Sequence, residues 1–285
     1  MTETKAKKTF RIGFKVVIYI VCIILGIMSI LPFIIMFVNA TRSSVQIQQQ
    51  ALSLVPSNFL ADNMRALSRG RTFNAIVGFR NSMIISSGAT ICATYFSCLT
   101  AYALTAYDWR FRKSVFTFIV AVMMIPGQLS AIGFVQFMYN INMVNNFLPF
   151  ILPAIAAPPI VFFMRQYLLS TFSLDIVNAA RIDGSHEFRT FNFIVLPMMK
   201  PAIAMQAIFV FVGTWNQLLM PMILLTDVRL YTMPIMVRQL SGNLYNTNFG
   251  SVYLGLSMSV LPLFIVYFSL SKYIIAGVQL GGVKE

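Results

Sequence analysis

The chain predicts an all-α integral membrane protein with six transmembrane helices, and three observations carry that expectation. Of its 285 residues, 58% are hydrophobic and only 10% are charged, where soluble domains carry about 25% charged residues. Four stretches without a charge (16–41, 81–107, 201–226 and 239–271) each exceed the about 20 residues that a bilayer-crossing helix needs. A fifth, 114–164, has 51 residues. As one helix it would reach roughly 77 Å at about 1.5 Å per residue, far beyond the hydrocarbon core.

Taken in order, the elements begin with a short basic segment, 1–15, and a first span over 16–40. The basic residues ahead of an apolar run also fit a signal peptide, with Val38-Asn39-Ala40 as a passable cleavage site. The run is too long for a signal core of about 7–15 residues, so it reads as a retained helix. The second span covers 82–107. The polar run from Asn140 to Asn146 divides the long stretch into spans over 114–138 and 147–168. The fifth and sixth spans cover 201–225 and 251–271. No second domain or linker is visible, so residues 1–285 read as a single transmembrane domain. Prolines such as Pro32, Pro126, Pro221 and Pro262 fall inside spans, where each removes a backbone hydrogen bond that neighbouring helices or a wet cavity must replace.

Charge sets the expected orientation. Counting loops alternately puts 14 of the 21 Lys and Arg residues on the N-terminal side and seven on the other. That bias places both termini in the cytoplasm. The net charge of +13 is spread over membrane flanks facing anionic lipid and does not imply nucleic acid. Cys22, Cys92 and Cys98 fall inside spans and read as small packing residues.

The charge-free stretches contain no Asp, Glu, Lys, Arg or His, so the ionisable relay of a proton-driven carrier is missing. His186, the single histidine, has no nucleophile or metal cluster beside it, so no catalytic site and no metal site are expected. The run from Gly277 to Lys284 has glycines spaced as in a phosphate loop, but Val283 occupies the position that needs lysine. An energy source on another chain is therefore expected.

The 36 residues from Arg165 to Lys200 are the polar exception. They hold four Lys/Arg residues, three of the eight acidic residues and the histidine. Ser173 can cap a helix over 174–182, with Val177 and Ala180 on one face. Gly184 suits a left-handed helix end, and Ser185 can cap the next helix, along which Phe188, Phe191 and Val195 repeat at helical spacing. The adjacent Ala179 and Ala180 would let a partner's surface come close. An amphipathic loop lying on the membrane is the ordinary alternative.

The run Ala179-Ala180-Arg181-Ile182-Asp183-Gly184, followed by Ile194-Val195-Leu196-Pro197 and Lys200-Pro201, resembles the EAA loop of binding-protein-dependent ABC importers. More narrowly, the chain is similar to the sugar-type permeases of the maltose-transporter group, in their shorter, six-helix form. Pro126-Gly127-Gln128, Trp215-Asn216-Gln217 with Pro221, and Gly277 to Lys284 extend the match along the chain. Two positions depart from it: Asn178 replaces the family's glutamate before the alanines, and Gln217 replaces an acidic residue usual after Trp-Asn.

The resemblance implies that segment 170–200 is a cytoplasmic coupling-helix loop between helices four and five. Asn178, Ala179, Ala180, Asp183 and Gly184 would then meet an ATP-binding subunit. It also implies a second permease, two ATPase subunits that bind ATP and Mg, and an external sugar-binding protein. This chain itself would bind no cofactor, and alternating access would follow the partner's ATP cycle. A neutral sugar needs amides and aromatic faces, which Gln128, Gln136, Trp215, Asn216 and Gln217 supply, with Tyr95 and Tyr102 as weaker candidates. Such amides also join helices to one another. A secondary carrier of a small polar solute and a non-transporting assembly subunit remain the alternatives at this point.

Overall fold

The structure, a computed structural model, describes the backbone of residues 2–69, 73–241 and 247–282, and the side chains of 14–69, 73–127, 129–241 and 247–271. The side chain of Gln128, those of the basic segment 2–13 and most of the Gly277–Lys284 motif therefore lie outside the described side chains. The described residues are largely helical and include no strand. Among the described residues, four helical stretches are long and apolar enough to cross a membrane, and a bent pair makes a fifth candidate.

The chain divides into two compact units. The first comprises 1–73 and 239–258. It contains α1 (Thr2–Asn39), α2 (Ser44–Gln49) and α3 (Leu60–Arg69), together with the start of a long helix numbered below as α15. Ser43 and Gln46 form a reciprocal cap at the start of α2. Arg42 is buried beneath that turn and donates to Asn39 Oδ1 and to the carbonyls of Gln46 and Gln50. The buried side-chain amide of Asn63 donates to the carbonyls of Ala40 and Arg42, and the backbone carbonyl of Asn63 accepts from Ser251 Oγ. The loop after α1 is thus a hydrogen-bonded structure in its own right.

The second unit comprises 74–238 and 259–285. Its axis is α4 (Ala75–Ala106), capped by the Asn74 side chain. It is followed by α5 (Arg112–Met123), a 3-10 turn at Gly127–Ser130, α6 (Ala131–Asn140), α7 (Leu148–Ile151) with a 3-10 turn at Leu152–Ile155, and α8 (Pro158–Thr171). The polar segment forms α9 (Leu174–Ile182) and α10 (Glu187–Thr190). A π turn at Phe191–Val195 leads into α11 (Leu196–Met198). Then come α12 (Lys200–Trp215), α13 (Leu219–Leu224), a 3-10 turn at Val228–Leu230, α14 (Met233–Leu240) and α15 (Phe249–Gly282).

Helix α4 packs against both α8 and α12. Ser82, Ser86, Ala89, Ala93, Ser97 and Ala101 form a buried stripe of small residues that lets neighbouring backbones come close. The hydroxyls of Thr90, Thr94, Thr100 and Thr105 donate back to the carbonyl four residues earlier, so they need no outside partner.

Four of the six expected spans have a long helical stretch over them: Phe14–Asn39, Ala75–Ala106, Phe249–Ser271 and Leu148–Thr171, the last made of α7, a 3-10 turn and α8. The other two are broken. Over 114–138 the helix stops at Met123 and resumes at Ala131. Pro126 lacks an N–H and disfavours helical geometry at Ile125, and the chain takes a 3-10 turn before continuing. Over 201–225 the helix stops at Trp215 and resumes at Leu219, while its start bends by 79° from the segment Glu187–Met198. The Asn140–Asn146 run does turn the chain. Asn142 and Asn145 sit at φ 55° and 56°, a left-handed geometry that asparagine tolerates. Asn145 Oδ1 then accepts from the N–H groups of Thr226 and Asp227. Arg165 lies within α8, its guanidinium 4.0 Å from the Phe116 ring centre, so the expected span 147–168 carries one charge.

Candidate functional site

Segment 173–199 folds as its pattern predicts at its first helix and differently at its second. Ser173 Oγ accepts from Asp175 N at 3.2 Å and starts α9 at Leu174. Gly184 ends it in the left-handed region, at φ +76°, with no heavy atom within 4 Å of where a Cβ would stand. The terminal carbonyls are closed by bonds from Asp183 N to Ala179 O, Gly184 N to Arg181 O and Ser185 N to Ala180 O. The next helix is capped at His186, not Ser185, and His186 makes no side-chain cap. Ser185 Oγ instead accepts from Thr190 Oγ1 at 2.9 Å. Phe191 and Val195 are buried as their spacing predicts, but Phe188, in the single turn of α10 ahead of the π turn, is 70% exposed.

The five residues expected to meet a partner divide by side. Asn178, Ala179, Asp183 and Gly184 are exposed, as is the neighbouring Ile182 at 86%. Ala180 is 6% exposed and, with Val177 at 1%, packs into this chain. The close approach expected of both alanines is therefore made inward by Ala180, and only Ala179 faces out.

The inner side of the segment is fastened to α4 through Glu187. Arg181 Nε donates to Glu187 Oε1 at 2.7 Å, and the hydroxyls of Tyr102 and Tyr107 both donate to Oε2. Arg181 also lies 5.3 Å from the Tyr107 ring centre. Two turns back along α4, Tyr95 OH donates to Asn192 Oδ1 at 3.2 Å. Phe191 wedges between these rings, 5.5 Å from Tyr102 and 5.8 Å from Tyr95. Tyr95 and Tyr102, weaker pathway candidates in sequence, are thus anchors for the polar segment. The Arg181 hydrogen bond holds the Glu187 carboxyl below the usual carboxylate range, helped by the two tyrosine hydroxyls and opposed by partial burial.

The remaining candidates cluster at the two helix breaks. Gln128 lies in the 3-10 turn that follows Pro126. Asn216 and Gln217 fill the gap between α12 and α13; both are exposed, and neither side-chain amide has a hydrogen-bond partner among the described residues. Gln136 and Tyr139 on α6 face Leu219, Met220 and Ile223 of α13 across a groove of about 400 Å³. Trp215 is placed otherwise. It is 1% exposed, its Nε1 donates to Ser259 O at 3.1 Å, and it stacks on Phe211 at 5.7 Å. With its face covered and its donor used, it supports the break from behind and offers no surface to a ligand.

Residues 93–279 match the family described as binding-protein-dependent transport system inner membrane component. The chain belongs to that family. The arabinooligosaccharides transport system permease protein AraQ of Halalkalibacterium halodurans is 31% identical over 264 residues, covering 91% of this chain and 93% of the relative. AraQ of Bacillus subtilis is 28% identical over 273 residues, covering 95% and 96%. A crystal structure of a bacterial ABC transporter involved in the import of the acidic polysaccharide alginate aligns with TM-score 0.77 at 21% identity, covering 92% of this chain and 96% of that one. This protein is a multi-pass membrane permease of the sugar-type ABC importers.

In this permease the sequence did not reveal Glu187. Its signal was faint: an acid six residues past Arg181, beyond the glycine, with two tyrosines near the end of α4. The carboxylate is ionised above the usual pKa of about 4.3, so the fastening is complete there and is lost as pH falls through its lowered native value. Glu187→Gln should speed hydrogen exchange over 185–192 at neutral pH, whereas the unaltered permease should reach comparable exchange only in acid. Identical exchange in both at neutral pH would show that the segment is held by packing alone.

Proposed function

We propose that this permease crosses the bacterial inner membrane six times with both termini cytoplasmic, as one transmembrane domain over 1–285, counting the two broken segments as spans. It would pair with a second permease over two ATP-binding subunits, which bind ATP and Mg and hydrolyse the nucleotide, and receive cargo from an external sugar-binding protein. Asn178, Ala179, Asp183 and Gly184, with Ile182, form the face that meets an ATP-binding subunit; Ala180 braces that face from within. Because Glu187 and Asn192 tie the segment to α4, a push on α9 moves α4 together with α8 and α12. That is a rigid-body route for alternating access.

The cargo is an oligosaccharide or related glycoside, in keeping with the arabinooligosaccharide transport for which the AraQ relatives are named. The observation carrying this reading is the pair of exposed, unpartnered amides at the α12–α13 break, Asn216 and Gln217. Interrupted helices at membrane depth form where backbone lines a cavity. Gln136 and Tyr139 continue the polar path along α6, and Gln128 marks the corresponding break before it. Neutral amides fit sugar hydroxyls without the cost of a buried charge.

Asn216→Leu is expected to lower sugar uptake by whole transporter in liposomes while basal ATP hydrolysis is unchanged, because the hydroxyl it bound loses its partner. Gln128→Arg should block passage by placing an unpaired charge in the path. Unaltered uptake in both variants would show that these amides only join helices and that cargo passes elsewhere.

A further inference from the structure

We propose that the turn between α4 and α5 binds the phosphodiester headgroup of an anionic phospholipid. The inference rests on the chain's placement in a membrane and uses the proposed orientation only to name the inner leaflet. Residues Asp108, Trp109, Arg110, Arg112 and Lys113 line a cavity of about 410 Å³. Three cations stand there against one carboxylate, and Asp108 reaches Arg112 at only 3.8 Å with its own side chain 95% exposed.

The end of α5 is left with excess positive charge. Its first turn has no acidic residue, begins with Arg112 and Lys113, and its N-cap residue Phe111 gives no side-chain acceptor. Helix N-termini carry free N–H groups and positive potential, so cations there are the unfavourable choice and a phosphate corrects both defects. A separate observation points the same way. The Arg165 guanidinium of α8 lies 4.0 Å from the Phe116 ring centre, one turn along α5 from Arg112, and its buried Nε has no hydrogen-bond partner among the described residues. None of the described carboxylates pairs with it.

The aromatic residues argue for lipid over a soluble anion. Trp109 and Phe111 are 39% and 58% exposed beside the cations, and the Arg110 guanidinium lies 5.5 Å from the Phe111 ring centre. Aromatic rings at the membrane–water boundary suit a ligand with a charged head and apolar chains.

The test titrates whole purified transporter in detergent with short-chain phosphatidylglycerol or phosphatidylcholine and reads bound lipid by native mass spectrometry. A basic residue near an anionic lipid surface contributes about 1 kcal/mol, so R112Q should weaken phosphatidylglycerol binding about fivefold. R110Q/R112Q/K113Q should remove that bound lipid altogether, and phosphatidylcholine should bind equally to all. If the triple variant fails to insert, R112Q carries the test alone. Equal phosphatidylglycerol occupancy in R112Q and the unaltered protein would overturn the proposal. So would displacement of the lipid by millimolar inorganic phosphate, which marks a soluble-anion site. Loss of ATPase co-purification at unchanged lipid occupancy would also overturn it, since the patch would then be a protein contact.

Discussion

Uptake and ATPase co-purification should be lost together when Gly184 becomes proline, with membrane insertion unchanged. Gly184 stands at φ +76°, and its N–H donates to Arg181 O at 3.0 Å. Proline fixes φ near −65° and has no N–H, so both features fail at once. The turn must then open, and the exposed end of α9 loses its angle to Glu187. Nothing crowds the position, so the penalty is conformational, not steric. Gly184→Ala, which strains the left-handed geometry by about 1–2 kcal/mol, should give an intermediate defect. Gly184→Asn should be milder, since asparagine tolerates that region.

Asn178→Ala is the contrasting control. The exposed Asn178 Oδ1 accepts from Arg181 at 3.4 Å, a weak bond whose loss costs at most about 1 kcal/mol. A defect as complete as that of Gly184→Pro would show that residue 178 contributes far more to the interface than its chemistry allows. The burial of Ala180 also changes which alanine probes the partner. A tryptophan at Ala180 would disrupt this chain's own core, whereas Ala179→Trp obstructs only what approaches from outside.

Trp215→Ala is expected to be the most destabilising single change outside the polar segment. The ring is fully enclosed, stacked on Phe211 and set 6.1 Å from Phe79 of α4. Its N–H reaches the Ser259 carbonyl of α15, three residues before Pro262, where the helix has already lost one backbone donor. Truncating a buried tryptophan costs about 3–5 kcal/mol. Thermal denaturation of the purified transporter should show a clearly lowered midpoint, and Trp215→Phe should recover most of it. An unchanged midpoint with selectively reduced uptake would return Trp215 to the cargo pathway.

Much of the fold was legible because apolar length is a strong signal. The stretches around α1, α4 and α15 read as long helices, and Asn140–Asn146 read as a turn. The breaks in the other two segments were less visible. Proline inside an apolar run can either kink a helix or end it, and which occurs at Pro126 depends on neighbours that a one-dimensional pattern does not contain. At the polar segment, Ser173 and Gly184 act locally, so their roles could be read from sequence. The junction at Glu187 joins residues 80 and 85 positions apart, Tyr107 and Tyr102, and periodicity is blind to such pairs. Trp215 was misplaced for a related reason. An aromatic residue beside two amides resembles a sugar-binding surface until the packing shows its face to be covered.

The central claim is that the outer face of α9 meets an ATP-binding subunit while its inner face is fastened to α4. A photo-crosslinking amino acid at Ile182, an exposed apolar residue of that helix, tests it in membranes holding the whole transporter. The account predicts an adduct with the ATP-binding subunit whose yield changes with ATP, and none when the same group replaces the exposed Val45 of α2. An absence of that adduct at Ile182, or a link there to the external binding protein, would contradict it.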